Sequence, residues 1–128
     1  GKNDLLDKYF AGSAYTAAWY MGLVDGASTP TYAAADTLAS HAGWTESTAY
    51  SGSNRSTVAW NAASAGSKSS TATSFSINAT ATIAGALLTV TQARATTTGV
   101  LYSAGNFSGG SRSVVSGDTI LVTYTASV

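Results

Sequence analysis

Apolar and polar residues alternate along much of this chain, most clearly from Thr71 to Ala84, TATSFSINATATIA. Phe75, Ile77, Ala79, Ala81 and Ile83 hold odd positions, and Ser74, Ser76, Asn78, Thr80 and Thr82 hold even ones. A period of two is the pattern of a strand with one buried and one wet face. Helical spacing would put Phe75 and Ile77 on opposite sides of a cylinder, so helix is the poorer reading. Gly85 predicts a bulge or bend, after which 86–92 continues as β with Leu88 and Val90 in register.

The same alternation predicts further strands. In Tyr15–Val24, the residues Tyr15, Ala17, Trp19, Met21 and Leu23 face one way, and Asp25-Gly26 is a turn signal. Trp44–Tyr50 and Asn54–Trp60 read as short strands. Val100–Phe107 and Ser113–Ser116 follow, and Gly117-Asp118 marks a turn before Ile120, Val122, Tyr124 and Ala126 alternate to the end. Ala62–Ser70, rich in Ala, Ser and Gly, predicts a solvent loop. Pro30 opens an alanine-rich piece ending near His41, read as a short helix with Leu38 as its apolar contact, or as irregular loop. Residues 3–10, NDLLDKYF, predict a short amphipathic helix capped by Asn3 or Asp4, with Leu5, Leu6, Tyr9 and Phe10 on one side. So short a helix is unstable alone and must lean on its own domain or on a partner.

About eight strands at spacings near ten residues, with no long helix between them, predict an all-β fold: an antiparallel β-sandwich, jelly-roll-like or Ig-like. Residues 1–12 are assigned to an N-terminal arm or short helix and residues 13–128 to a single β-sandwich domain.

Composition narrows the function classes. Six basic and six acidic residues cancel, and only 9% of residues are charged. No electrostatic case exists for nucleic acid or for an anionic membrane surface. No apolar run approaches the length of a membrane-spanning helix. A neutral surface does little to oppose association, which favours a protein that works in an assembly. Cysteine is absent, so disulfides and thiolate metal sites are excluded. Gly1 stands where a methionine is expected, which suggests a removed initiator or short leader.

Candidate chemistry is sparse. His41 is the sole histidine, and no nucleophile-elbow motif surrounds any of the 19 serines. It reads as a loop or interface residue rather than as part of a Ser-His-Asp triad. The carboxylates Asp4, Asp7, Asp25, Asp36, Glu46 and Asp118 offer no pair that suits glycosidase chemistry. One histidine without cysteine builds no zinc site, and no calcium-loop spacing occurs. No catalytic, cofactor or metal residue is assigned, and the expectation is a non-enzyme without cofactor. Trp19, Trp44 and Trp60 read as core and subunit-interface aromatics, or alternatively as a carbohydrate platform.

Two runs carry a family resemblance. Leu5–Leu23, LLDKYFAGSAYTAAWYMGL, resembles the opening of small tailed-phage virion proteins: a short helix, a glycine, then an aromatic strand ending in a Gly-Leu step. Ala35–Tyr50, ADTLASHAGWTESTAY, together with Gly99–Ser127, is similar to a family of phage structural proteins from the head-and-tail gene region. The matching motifs are structural, so no active-site residue is implied. The size and the β-sandwich suit a capsid cement or decoration protein on the outside of the icosahedral shell. Its implied partners are the major capsid protein and itself, as a homotrimer. Leu5, Leu6, Tyr9 and Phe10 are the expected capsid-docking residues, with packing against an end of the sandwich as the alternative. A tail or fibre-associated role is the second expectation, and a secreted lectin-like module the third.

Overall fold

A computed structural model describes residues 9–10 and 18–128. Tyr9 and Phe10 have helical backbone, and residues 18–128 contain no helix. Leu5 and Leu6 of the expected arm, and Tyr15 and Ala17 of the expected first strand, lie outside the described residues.

Ten short strands make the fold: β1 (Tyr20–Asp25), β2 (Glu46–Ser47), β3 (Ser56–Thr57), β4 (Ser67–Ser69), β5 (Thr73–Ser76), β6 (Ala81–Thr89), β7 (Leu101–Asn106), β8 (Arg112–Val114), β9 (Thr119–Val122) and β10 (Thr125–Ser127). All pairings between them are antiparallel, as expected of an all-β sandwich-like fold.

Strands β1 and β6 form the middle of the larger sheet. The other edge of β1 pairs first with β3 and then with β2, and the far edge of β6 pairs with β8 and then β7. The second layer joins two ladders, β5–β9 and β4–β10, linked where the Ser70 N–H donates to the Tyr124 carbonyl at 2.8 Å. Residues 49–61 serve both layers. Their strand β3 belongs to the larger sheet, while Tyr50 bridges Ile77 and Trp60 bridges Ser70 in the other layer. That segment closes one side of the sandwich. On the opposite side run β7–β8 and β9–β10.

The main core lies between the layers. Met21, Leu23, Ile83 and Leu88 meet Tyr50, Val58, Phe75, Ile77 and Val122 there. Each such side chain contributes about 1.5–3 kcal/mol through removal from water. A smaller core of Val24, Leu38, Trp44 and Leu87 sits on the other face of the larger sheet, with Tyr32, Leu101 and Ala104 packed against it. The alternating strand predicted around Met21 and Leu23 is therefore buried on both faces from Met21 to Val24, because a second cover lies over its outer side.

That cover is the piece from Pro30 to His41, read as a short helix or as irregular loop. It takes the irregular form, with turns held where the Thr31 N–H donates to the Gly43 carbonyl at 2.8 Å and the Ala33 N–H to Asp36 Oδ2 at 2.9 Å. A turned segment can lay Tyr32, Leu38 and Trp44 across one sheet face, which a single short helical stripe would not do.

The long wall from Thr71 to Ala84 is two strands. Thr73, Phe75 and Ile77 are buried in alternation as predicted, but the chain turns after Asn78 and re-enters as β6 in the other layer. The predicted irregularity near Gly85 is present as a one-residue shift between β1 and β6: Val24 pairs with Gly85 and Asp25 with Ile83. Ala62–Ser70 is no simple loop. Ser64 and Ser67 exchange backbone hydrogen bonds of 2.8 and 2.9 Å around Ala65 (φ 50°) and Gly66 (φ 74°), a tight hairpin turn with both central residues left-handed. Ser67–Ser69 then pairs with β10.

Candidate functional site

The structure gathers side chains at three places. The first surrounds His41. Its ring stacks on Trp44 with centroids 3.8 Å apart, and its Nδ1 lies 2.9 Å from the Trp44 carbonyl. Trp44 Nε1 donates to Asp36 Oδ2 at 3.1 Å. His41 and Asp36 thus both attach to the tryptophan, and among the described residues no serine hydroxyl is bonded to His41. This is packing geometry rather than a proton relay. Trp44 is 5% exposed and packs in the smaller core of its own chain, the core half of the reading given to the three tryptophans.

The second is a buried ionic cluster. Arg55 is 2% exposed. Its Nε donates to Glu46 Oε2 at 2.9 Å and its Nη2 to Glu46 Oε1 at 2.6 Å, a bidentate pair. Nη1 donates to the Thr91 carbonyl at 2.8 Å. The Arg55 N–H donates to the Gln92 carbonyl, and the Arg94 N–H to the Ser53 carbonyl. Arg94 also lies over the Tyr50 ring, 5.1 Å from its centroid, and its Nη1 donates to the Thr48 and Tyr50 carbonyls. The cluster ties the 46–55 region to the turn after β6. Its members donate only to one another, to threonines and to backbone carbonyls, which is a structural use of charge. Nothing in the sequence singled out Arg55 or Glu46. Arg55 sits among exposed neighbours, and its carbonyl partners are more than thirty residues away.

Tyr50, beside this cluster, has a buried hydroxyl with no hydrogen-bond partner among the described residues. Burial pushes its pKa well above the usual tyrosine value, the Glu46 carboxylate adds to the rise, and Arg94 and Arg55 oppose it. A raised pKa means that the unfolded chain loses this proton first, near pH 10. Above that pH the unfolded state binds fewer protons, and stability falls as pH rises. Tyr50→Phe is expected to stabilise the protein by about 1 kcal/mol at pH 7 by removing an unpaired hydroxyl. Its advantage over the parent should grow above about pH 10. Urea midpoints at neutral and alkaline pH measure this, and an advantage that stays constant with pH would contradict it.

The third place is a cleft of about 360 Å³ between the two layers, bordered by the end of the 49–61 segment at Trp60. Trp19, Leu88 and Tyr102 line it from the larger sheet's side, and Trp60, Tyr124 and Val128 from the other layer. Trp19 meets Tyr102 edge to face at 5.3 Å, and Trp60 meets Tyr124 edge to face at 5.9 Å. The Tyr124 hydroxyl and Ser103 Oγ, 2.8 Å apart, bridge the two layers. The buried Trp60 Nε1 has no acceptor among the described residues. Among the described lining residues Lys68 is the one with a charged side chain, and its Nζ donates to the Asn61 carbonyl at 2.8 Å. A second hollow of about 620 Å³ shares Tyr124 with this cleft and is lined by Ala86, Phe107 and Ile120 among others.

Two of the three predicted tryptophans, Trp19 and Trp60, thus border one cleft, and Trp44 does not. Tyr9 and Phe10 of the expected docking segment are 80% and 76% exposed, their rings edge to face at 4.9 Å. Among the described residues no group of three or more His, Cys, Asp or Glu side chains could hold a metal ion. No described helix is long and apolar enough to cross a membrane. In comparisons with known proteins the chain matches no family model, no curated protein and no solved structure.

Proposed function

We propose that this chain is a capsid cement or decoration protein. It docks on the outer surface of a tailed-phage shell, binds the major capsid protein and stabilises contacts between capsomers. The homotrimer is its unit of assembly. The reading rests on the motifs of Leu5–Leu23, Ala35–Tyr50 and Gly99–Ser127, and the all-β sandwich-like fold agrees with it. The observation that carries it is the exposure of Tyr9 and Phe10. Two large adjacent rings facing water are a contact element in search of a partner. Their exposure also favours docking over the alternative in which these two rings cover an end of the sandwich.

Deletion of residues 1–12 is expected to abolish binding to shells while leaving the sandwich folded. Cosedimentation with shells and circular dichroism measure the two effects. A deleted chain that melts, or one that still binds shells, counts against the arm as the contact element.

A further inference from the structure

We propose that the free edge of β9 and β10 is a self-association site. Two copies pair these strands antiparallel about a two-fold axis and join their second layers into one continuous sheet. The inference goes beyond the capsid reading and does not rest on it.

The hydrogen-bond pattern defines the edge. The Ile77 N–H donates to the Asp118 carbonyl, the Ser70 N–H to the Tyr124 carbonyl and the Val128 N–H to the Gly66 carbonyl. Antiparallel strands alternate between residues that exchange bonds with the facing strand and residues whose main-chain groups point away from it. Carried along the two ladders, that alternation turns the main chain of Ile120, Val122, Tyr124 and Ala126 toward β5 and β4. The N–H and carbonyl groups of Thr119, Leu121, Thr123, Thr125 and Ser127 point the other way, and they have no hydrogen-bond partner among the described residues. All five residues are exposed, Leu121 at 66%. The hollow of about 620 Å³ runs beside Ile120–Thr125, which leaves room along the edge.

This edge carries none of the devices that keep sheet edges apart. Thr119–Ser127, TILVTYTAS, has no charge, proline or glycine. The ladder does contain a bulge, but on the inner strand. Thr71 and Ala72 together face Thr123, between the Thr73–Val122 pair and the Ser70–Tyr124 bond. The outer strand keeps one unbroken alternation along its whole length.

A second copy is the occupant that this edge fits. With the axis at Thr123, every outward residue meets an outward residue: Thr123 its own mate, Leu121 the second copy's Thr125, and Thr119 the second copy's Ser127. No like charges are brought together, because the edge has none. Five such pairs, each exchanging two bonds, give about ten main-chain hydrogen bonds, the number in a standard protein interface. A two-fold contact cannot close a ring of three, so among trimers it ties one trimer to the next.

The test is sedimentation velocity of the full-length chain from micromolar to millimolar concentration. The parent is expected to double in mass as concentration rises, from the single chain or from its trimer. Thr123→Pro removes the central outward N–H of both copies at a position where the chain itself loses no hydrogen bond. It should weaken doubling by about tenfold or more. Leu121→Lys with Thr125→Lys sets like charges opposite each other across the axis and should weaken it by about tenfold. Leu121→Lys with Thr125→Glu sets opposite charges there and should recover most of that loss. Circular dichroism checks that each variant folds, and the two charged variants carry the test if Thr123→Pro does not. A parent that never doubles overturns the proposal. So does doubling untouched by the disruptive variants, or a Lys–Glu variant that associates no better than the double lysine one.

Discussion

Arg55→Ala is expected to cost about 3–5 kcal/mol of folding stability, the largest effect of any substitution considered. The guanidinium has a fully buried side chain, and its bidentate partner Glu46 has only 8% of its side chain exposed. Removing the arginine leaves a carboxylate with little water and no counter-charge. The cavity costs further, and the hydrogen bond to the Thr91 carbonyl is lost. Replacing both partners with apolar residues, Arg55→Met with Glu46→Leu, is expected to recover most of the loss, because no unpaired charge then remains buried. Urea denaturation of the two single variants and the double variant closes the cycle. An Arg55→Ala loss under about 1 kcal/mol would place the pair with ordinary surface ion pairs.

Gly85→Ala is the second large effect, at about 3 kcal/mol. Gly85 sits in β6 opposite Asn106, and a Cβ built there would lie inside the backbone of Gly105. The obstacle is main chain, not the end of a flexible side chain, so β6 and β7 must separate. Those two strands carry Leu87, Leu88, Leu101 and Tyr102, which reach both cores and the cleft. Gly105→Ala is the matched control. It lies one step away in the same ladder, and a Cβ there meets nothing within 4 Å. It should change stability by less than about 1 kcal/mol in either direction. Equal losses at the two glycines would rule out close backbone approach as the reason for glycine at 85.

The fold class was legible because period-two burial is local. Thr73, Phe75 and Ile77 bury one face of β5 and its extension, as the alternation of apolar and polar positions requires. Layer assignment was not legible. Asn78 carries no strong turn signal, yet the chain crosses there from one sheet to the other. In 44–50 the buried positions are Trp44, Ser47 and Tyr50, a spacing of three, because the segment passes from the outer core past the ionic cluster to the inner core. Ser67–Ser69 looked like a loop by composition, but β10 supplies its backbone partners and a ladder needs no apolar side chains. Glu46 lies in β2 and Arg55 just before β3, nine residues apart, and only the tertiary path brings them together. Of the candidate contact residues, Trp19 and Trp60 were readable as aromatics with a polar tip. That they share one cleft followed from the sheets, which set Trp60 beside Ser70 and bring Trp19 against Tyr102.

The account of function comes down to where this chain sits when it works. Its described surfaces offer an exposed aromatic pair and an aromatic cleft on a sandwich with no net charge, features that suit close contact with other proteins. The proposal makes the chain a component of a phage particle, and electron cryomicroscopy of the particle so proposed is the most direct test. The account predicts sandwich-shaped density on the outer face of the icosahedral shell, in groups of three that touch neighbouring capsomers. Density confined to the tail, or particles without the chain, would contradict it.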